Sequence, residues 1–178
     1  CSFCIKFEFL VYPTPKNNRI KMPTLKRIMV GIDFTLIDKI IIEYTAFISK
    51  YLKPEKIYFV HVHKHLDVPK QVRDLMPEIN QPMDEKLKRE MEELVTANFP
   101  NHEHYDIDFL VREGNDFEGV LHWSEIKNID LFVSGRKSEL KGSGILPHKL
   151  AQKSRCSVLF VPENAKTQLK NIFVPIDF

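Results

Sequence analysis

The sequence predicts an α/β fold, a doubly wound and mostly parallel five-stranded sheet with helices on both faces. Three observations lead there. Five short apolar runs alternate with segments of helical periodicity, as strand–helix–strand units require. The runs at 26–34 and 129–134 are nearly continuous in apolar residues, the pattern of strands buried on both faces. Glycine is scarce, six in 178 residues, yet Gly135, Gly142 and Gly144 fall within ten residues after a strand. Chains that let an anion approach the backbone concentrate glycine in this way.

The elements follow in order. Residues 26–34 (KRIMVGIDF) form the first strand. Thr35 and Asp38 then have capping-box spacing, with Asp in place of Glu or Gln. Ile37, Ile40, Ile41, Tyr44, Phe47, Ile48, Tyr51 and Leu52 recur at helical spacing, and Pro54 limits that helix. Residues 56–63 (KIYFVHVH) form the second strand, and 66–82, with Pro69, Pro77 and Pro82, read as loop. Met83, Leu87, Met91, Leu94, Val95 and Phe99 line one face of a second helix that Pro100 ends. Its outer face offers the pairs Asp84–Lys88 and Glu85–Arg89. Residues 104–113 alternate as a third strand. Asp116 opens a third helix running through Asn128, with Trp123 expected against the sheet. A fourth strand at 129–134, a last helix at 146–154 with Pro147 in its first turn, and a fifth strand at 157–162 complete the set.

Composition narrows the class. A chain that is 43% hydrophobic and 28% charged is not disordered, collagen-like or a disulfide scaffold. No run approaches the ~20 apolar residues of a membrane span. The net charge of +2 is uneven: residues 1–21 carry +3 and the remaining 157 carry −1. A near-neutral folded part argues against a broad nucleic-acid or membrane footprint. Cys1, Cys4 and Cys156 give no disulfide framework and fit a reducing compartment, so a cytoplasmic location is expected. Residues 1–21 lack the features of a secretory signal and Met22 reads as the natural start; 1–23 are expected to be an extension, disordered or non-native.

The first strand recurs. Residues 170–178 read KNIFVPIDF, identical to KRIMVGIDF at six of nine positions and 144 residues further on. That spacing is the length of a whole domain. The expected organisation is one domain over 24–163, a linker over 164–169, and over 170–178 the first strand of a second, truncated copy.

Doubly wound sheets bind ligands beyond the carboxyl ends of their strands, at the topological switch point. This directs attention to residues 31–34, 61–65 and 134–144. Gly142-Ser143-Gly144 precedes a helix, where free backbone N–H groups either hold an anion or simply turn the chain. Arg136, Lys137 and Lys141 add positive charge, but neither a Walker A loop nor a GxGxxG fingerprint is present. Asp33 either caps the following helix or accepts a hydrogen bond from a base or ribose. His61, His63 and His65 share one strand face. With no carboxylate nearer in sequence than Asp67, they read as structural or solvated and not as metal ligands. His102 and His104 flank Glu103 in a solvated loop. Cys156 reads as a small hydrophobe beside the fifth strand, with no His–Asp arrangement to activate it.

The pieces KRIMVGIDF, IYFVHVHK, IDLFVSGRK and GSGILPHKLAQKSRCSVLFVPE resemble the universal stress protein family over residues 24–163, and the repeat resembles its tandem, two-domain members. The resemblance implies a Rossmann-like domain similar to the adenine nucleotide alpha-hydrolase fold. It implies ATP or AMP as ligand, with only nucleotide-associated magnesium as metal. By position it places Gly31 and Asp33 near the base and ribose and Val62 along the adenine pocket. Gly135 would begin the phosphate loop, and Gly142, Ser143, Gly144 and Ile145 would close it. The family's pattern is not fully kept: Ser138 stands for its second glycine, the loop is shorter, and Ile145 replaces a hydroxyl residue, with Ser143 one position earlier. These departures lie at the phosphate end. The expected function is a non-catalytic, adenine-nucleotide-binding regulatory domain of a stress response; the alternative is a nucleotide-free dimerisation or scaffold module. An ATP-using enzyme is disfavoured, since His-x-Gly-His, Ser-Gly-Gly and a positioned base are lacking. Pairing through the fifth strand, from Ser157 to Val161, is expected either between two chains or between tandem halves.

Overall fold

The computed structural model describes residues 24–63, 83–114, 116–136 and 145–169. Five strands, β1 (Arg27–Gly31), β2 (Lys56–His63), β3 (Ile107–Glu113), β4 (Leu131–Arg136) and β5 (Ser157–Pro162), make one sheet of order β3-β2-β1-β4-β5. Every pairing is parallel, with Gly31 opposite Val60, Val30 opposite Val133 and Gly135 opposite Val161. The helices are α1 (Ile37–Leu52), α2 (Met83–Asn98), α3 (Asp116–Ile126) and α4 (Ile145–Lys153). The fold class, the element order and the second and fifth strands are those expected from the sequence.

Period-two alternation sorts the strand residues into two cores. Ile28, Val30, Ile32, Ile57, Phe59, Leu131, Val133, Leu159 and Val161 face α1 and α2, against Ile37, Ile41, Tyr44, Met91 and Val95. Met29, Tyr58, Val60, Phe132 and Val158 face α3 and α4, against Val120 and Leu150. A helix layer on each side explains why β1 has no polar face: Ile28, Met29 and Val30 are all fully buried. Each such side chain contributes about 1.5–3 kcal/mol by leaving water. Trp123 is half-buried in the second core, with the Arg112 guanidinium 6.0 Å from its ring centre.

Several boundaries differ from expectation for local reasons. β4 runs on to Arg136 because Ser134, Gly135 and Arg136 pair with Phe160, Val161 and Pro162. β3 begins at Ile107, because His102–His104 form a single 3₁₀ turn entered by Asn101 at φ 58°. The Tyr105 N–H donates to the His102 carbonyl at 3.0 Å, closing that turn. His102 and His104 each lie beside Glu103, as the sequence suggested. α1 stops at Leu52, where Lys53 adopts a left-handed conformation and its N–H donates to the Ser49 carbonyl at 2.9 Å. At the amino edge of the sheet, Asp130 Oδ2 accepts from the backbone N–H groups of Lys26 (2.9 Å) and Arg27 (2.8 Å), which pins β1 to the loop before β4.

Residues 1–23 and 170–178, to which the extension and the repeated strand were assigned, lie outside the described residues, as do 64–82.

Candidate functional site

From β1 the chain passes outward to β2 and β3, then crosses to β4 and β5 on the other side. The switch point therefore lies between the carboxyl ends of β1 and β4. Two glycines stand there, and both have packing reasons. A Cβ on Gly31 would sit 3.2 Å from Phe132 Cζ. A Cβ on Gly135 would sit 2.8 Å from Ile41 Cδ1 and 3.0 Å from Ile37 Cδ1. Gly135 belongs to β4 and lets the first turns of α1 press onto the sheet. The loop assigned to phosphate lies at 137–144, outside the described residues, and Gly142, Ser143 and Gly144 fall there with it. Ile145 is the first residue of α4.

The end of β1 is shaped by two side chains. The last backbone bond to β2 is from Ile32 N–H to the Val60 carbonyl, at 2.9 Å. Beyond it, the Ile32 carbonyl lies 2.7 Å from His61 Nδ1. A carbonyl oxygen only accepts, so Nδ1 carries the ring proton. The N–H of Asp33, in the same peptide unit, donates to Asp38 Oδ2 at 3.3 Å, and Thr35 N–H donates to the same oxygen at 2.7 Å. Asp38 is 1% exposed. It makes the return half of a capping box, as its spacing from Thr35 suggested. The N-cap position of α1 is Leu36 and no side chain caps it, so the capping role open to Asp33 is not filled by it. The Asp33 carboxylate is exposed at the switch point, with no hydrogen-bond partner among the described residues. Phe34 follows at φ 54°, a conformation costing a non-glycine residue about 1–2 kcal/mol. Its ring meets the His61 imidazole edge-on, with centroids 4.7 Å apart.

Val62 sits beside this junction. Its side chain faces α3, where a Cβ on Gly119 would lie 3.5 Å from Val62 Cγ2. Its backbone N–H and C=O lie in the plane of the sheet. Because Val60 accepts from β1, the N–H and C=O two residues on also turn towards β1. A regular parallel ladder would give Val62 N–H the Ile32 carbonyl. That carbonyl is held by His61, and Phe34 N–H, the ladder partner of the Val62 carbonyl, makes no backbone bond to it among the described residues. Val62 therefore presents a donor and an acceptor side by side, neither bonded on the β1 side among the described residues. The residue type gave no sign of this, since the available atoms are backbone atoms; the signals were the parity of the strand and the position that the resemblance gave to Val62.

The histidines are individually engaged. His61 and His63 share a face, their rings 6.3 Å apart and nearly parallel. His63 Nε2 lies 2.8 Å from Asp84 Oδ1, so the first turn of α2 supplies a carboxylate that sequence distance concealed. Asp84 was expected to pair with Lys88; it turns to the sheet instead, and Lys86–Glu90 is an i,i+4 pair of that helix. His65 lies outside the described residues. Among the described residues no group of three or more His, Cys, Asp or Glu is arranged to hold a metal ion. Cys156 is half-buried against the second core, and burial pushes its thiol above the usual range, the reverse of an activated nucleophile. A cleft of about 330 Å³, lined by Ser124, Asn128, Asp130, Arg155 and Cys156 among others, lies at the amino ends of β4 and β5, remote from the switch point.

Together these features define a doubly wound, all-parallel domain with an open hydrogen-bonding edge and a carboxylate at its switch point. The model of the universal stress protein family matches residues 24–162, and the chain belongs to that family. Solved structures share the fold. A universal stress protein in complex with cAMP aligns over 80% of this chain and 100% of its own, at 16% identity and a TM-score of 0.54. A hypothetical protein whose biochemical function was assigned from its structure aligns over 81% of this chain and 100% of its own, at 20% identity and a TM-score of 0.60. A universal stress protein from Archaeoglobus fulgidus aligns over 78% of this chain but 44% of its own, at 18% identity and a TM-score of 0.54. No curated protein matches the chain.

Proposed function

We propose that this domain binds an adenine nucleotide, AMP or ATP, at the carboxyl ends of β1, β2 and β4, and acts as a non-catalytic regulatory module of a stress response in the cytoplasm. The observation that carries this reading is the backbone edge of Val62, which has no bond on its β1 side among the described residues. An N–H beside a C=O is the complement of adenine, whose ring nitrogen N1 accepts where its N6 amino group donates. Asp33, exposed at the adjoining end of β1, supplies an acceptor for ribose hydroxyls, as acidic residues do at the switch point of other nucleotide-binding sheets. The complex of a family member with cAMP supports the ligand class. The phosphates would run towards 135–145, with any magnesium bound to them.

β5 lies at an edge of the sheet, and this favours the second element of the reading, pairing through residues 157–161 with another domain of the same kind. The repeat at 170–178 and the Archaeoglobus chain, of which this domain covers less than half, support a tandem arrangement. The test is isothermal calorimetry with AMP and ATP on wild type and Asp33→Ala. Saturable binding by the wild type, weakened about tenfold or more in the variant, is expected from loss of charge-assisted hydrogen bonds. Absence of heat with either nucleotide, and of nucleotide extracted from the purified protein, would leave the scaffold reading in place.

A further inference from the structure

We infer that His61 is a positioning residue that keeps the site open by occupying the Ile32 carbonyl, so that Val62 N–H stays available to a ligand. For its affinity arm this rests on the nucleotide reading above. β1 and β2 are in register as far as Gly31 opposite Val60, and Ile32 N–H still bonds Val60. One further rung, Val62 N–H to the Ile32 carbonyl, would close the ladder over the edge. The rung is absent because the imidazole reaches the carbonyl first, at 2.7 Å, from the adjacent position on the same strand. The other half of the peptide is drawn away by Asp38 Oδ2, which takes Asp33 N–H. Phe34, held in a left-handed conformation, braces the ring edge-on at 4.7 Å. A side chain thus substitutes for a backbone donor, and the displaced donor is left facing the gap.

Removing the imidazole leaves a carbonyl without its partner, and the regular parallel ladder assigns that carbonyl to Val62 N–H. In His61→Ala the ladder is expected to gain the missing rung, satisfying Ile32 while closing the edge. His61→Asn keeps an N–H at nearly the position of Nδ1 and is expected to preserve the open form.

The experiment is amide hydrogen exchange at Val62 in the ligand-free full chain, read by NMR, together with AMP titration of the same proteins. In His61→Ala the Val62 amide is expected to exchange at least about tenfold more slowly than in wild type, while His61→Asn follows wild type. AMP affinity should fall at least about fivefold in His61→Ala, the loss of one or two hydrogen bonds, and stay within about twofold in His61→Asn. A Val62 amide equally protected in wild type and His61→Ala would overturn the inference. If wild type does not bind AMP, the nucleotide reading fails, and the exchange comparison alone still decides the role of His61.

Discussion

Replacing Gly135 with Ala separates packing from ligand approach at the position the resemblance gave to phosphate. The new Cβ would lie 2.8 Å from Ile41 Cδ1, 3.0 Å from Ile37 Cδ1 and 3.2 Å from Ile37 Cγ2. Carbon atoms rest at about 3.5–4.0 Å, so the overlaps are roughly 0.5–1 Å. Ile41 and Ile37 are 2% and 5% exposed, and neither has solvent to move into. The clash falls mainly on terminal methyls and is relieved by turning both side chains off their preferred rotamers, at about 0.5–1.5 kcal/mol each. The loss of glycine's freedom in the unfolded chain returns about 0.4–1 kcal/mol. The net cost is about 1–2 kcal/mol, a fall in Tm of about 3–6 °C for a domain of this size. Thermal unfolding followed by circular dichroism reads it directly. An unchanged or raised Tm would refute the packing argument, and a loss of AMP affinity without a stability change would return Gly135 to the phosphate site.

Gly119 and Gly114 should respond in opposite directions. Gly119→Ala places a methyl in ordinary contact with Val62 inside α3 and should stabilise by about 0.5–1 kcal/mol, whereas Gly114, at φ 142°, should cost about 1–3 kcal/mol as Ala; urea unfolding of both variants checks the pair. Burial raises the Cys156 thiol, so at pH 8 its peptide should be alkylated more slowly in the folded protein than in urea, as measured by mass spectrometry; equal rates would contradict the burial. Lys56 is raised above the usual lysine value of 10.5, first by its hydrogen bond to Asp106 and then by Asp108. A raised value stabilises the fold below 10.5 and loses that contribution as pH climbs through the folded value. The stability gap between wild type and Lys56→Met should therefore hold at pH 9 and shrink by pH 11.

The strand–helix alternation was legible because each element carries its own periodicity, and β2 and β5 could be placed to the residue. The extra length of β4 was not, because Gly135 and Arg136 are strand only through their pairing with Val161 and Pro162. Asp38 announced its bond to Thr35 N–H through its spacing, but that the same oxygen also takes Asp33 N–H depends on where β1 bends. His61 was visible as a histidine on a strand face and nothing more. Its role depends on the Ile32 carbonyl, 29 residues away in sequence. The open edge of Val62 is a property of register, and no residue type encodes it. Asp84 was assigned outward by helical spacing, and only the approach of α2 to the end of β2 brings it to His63.

The central claim is that the edge of Val62 reads adenine. Its direct test is a calorimetric comparison of AMP with IMP on the wild-type protein. IMP exchanges the ring acceptor for a donor and the amino donor for a carbonyl, so each group would meet its like on Val62. Binding of AMP at least about tenfold tighter than IMP is predicted, since buried polar groups left unpaired discriminate strongly. Equal affinities would contradict the account.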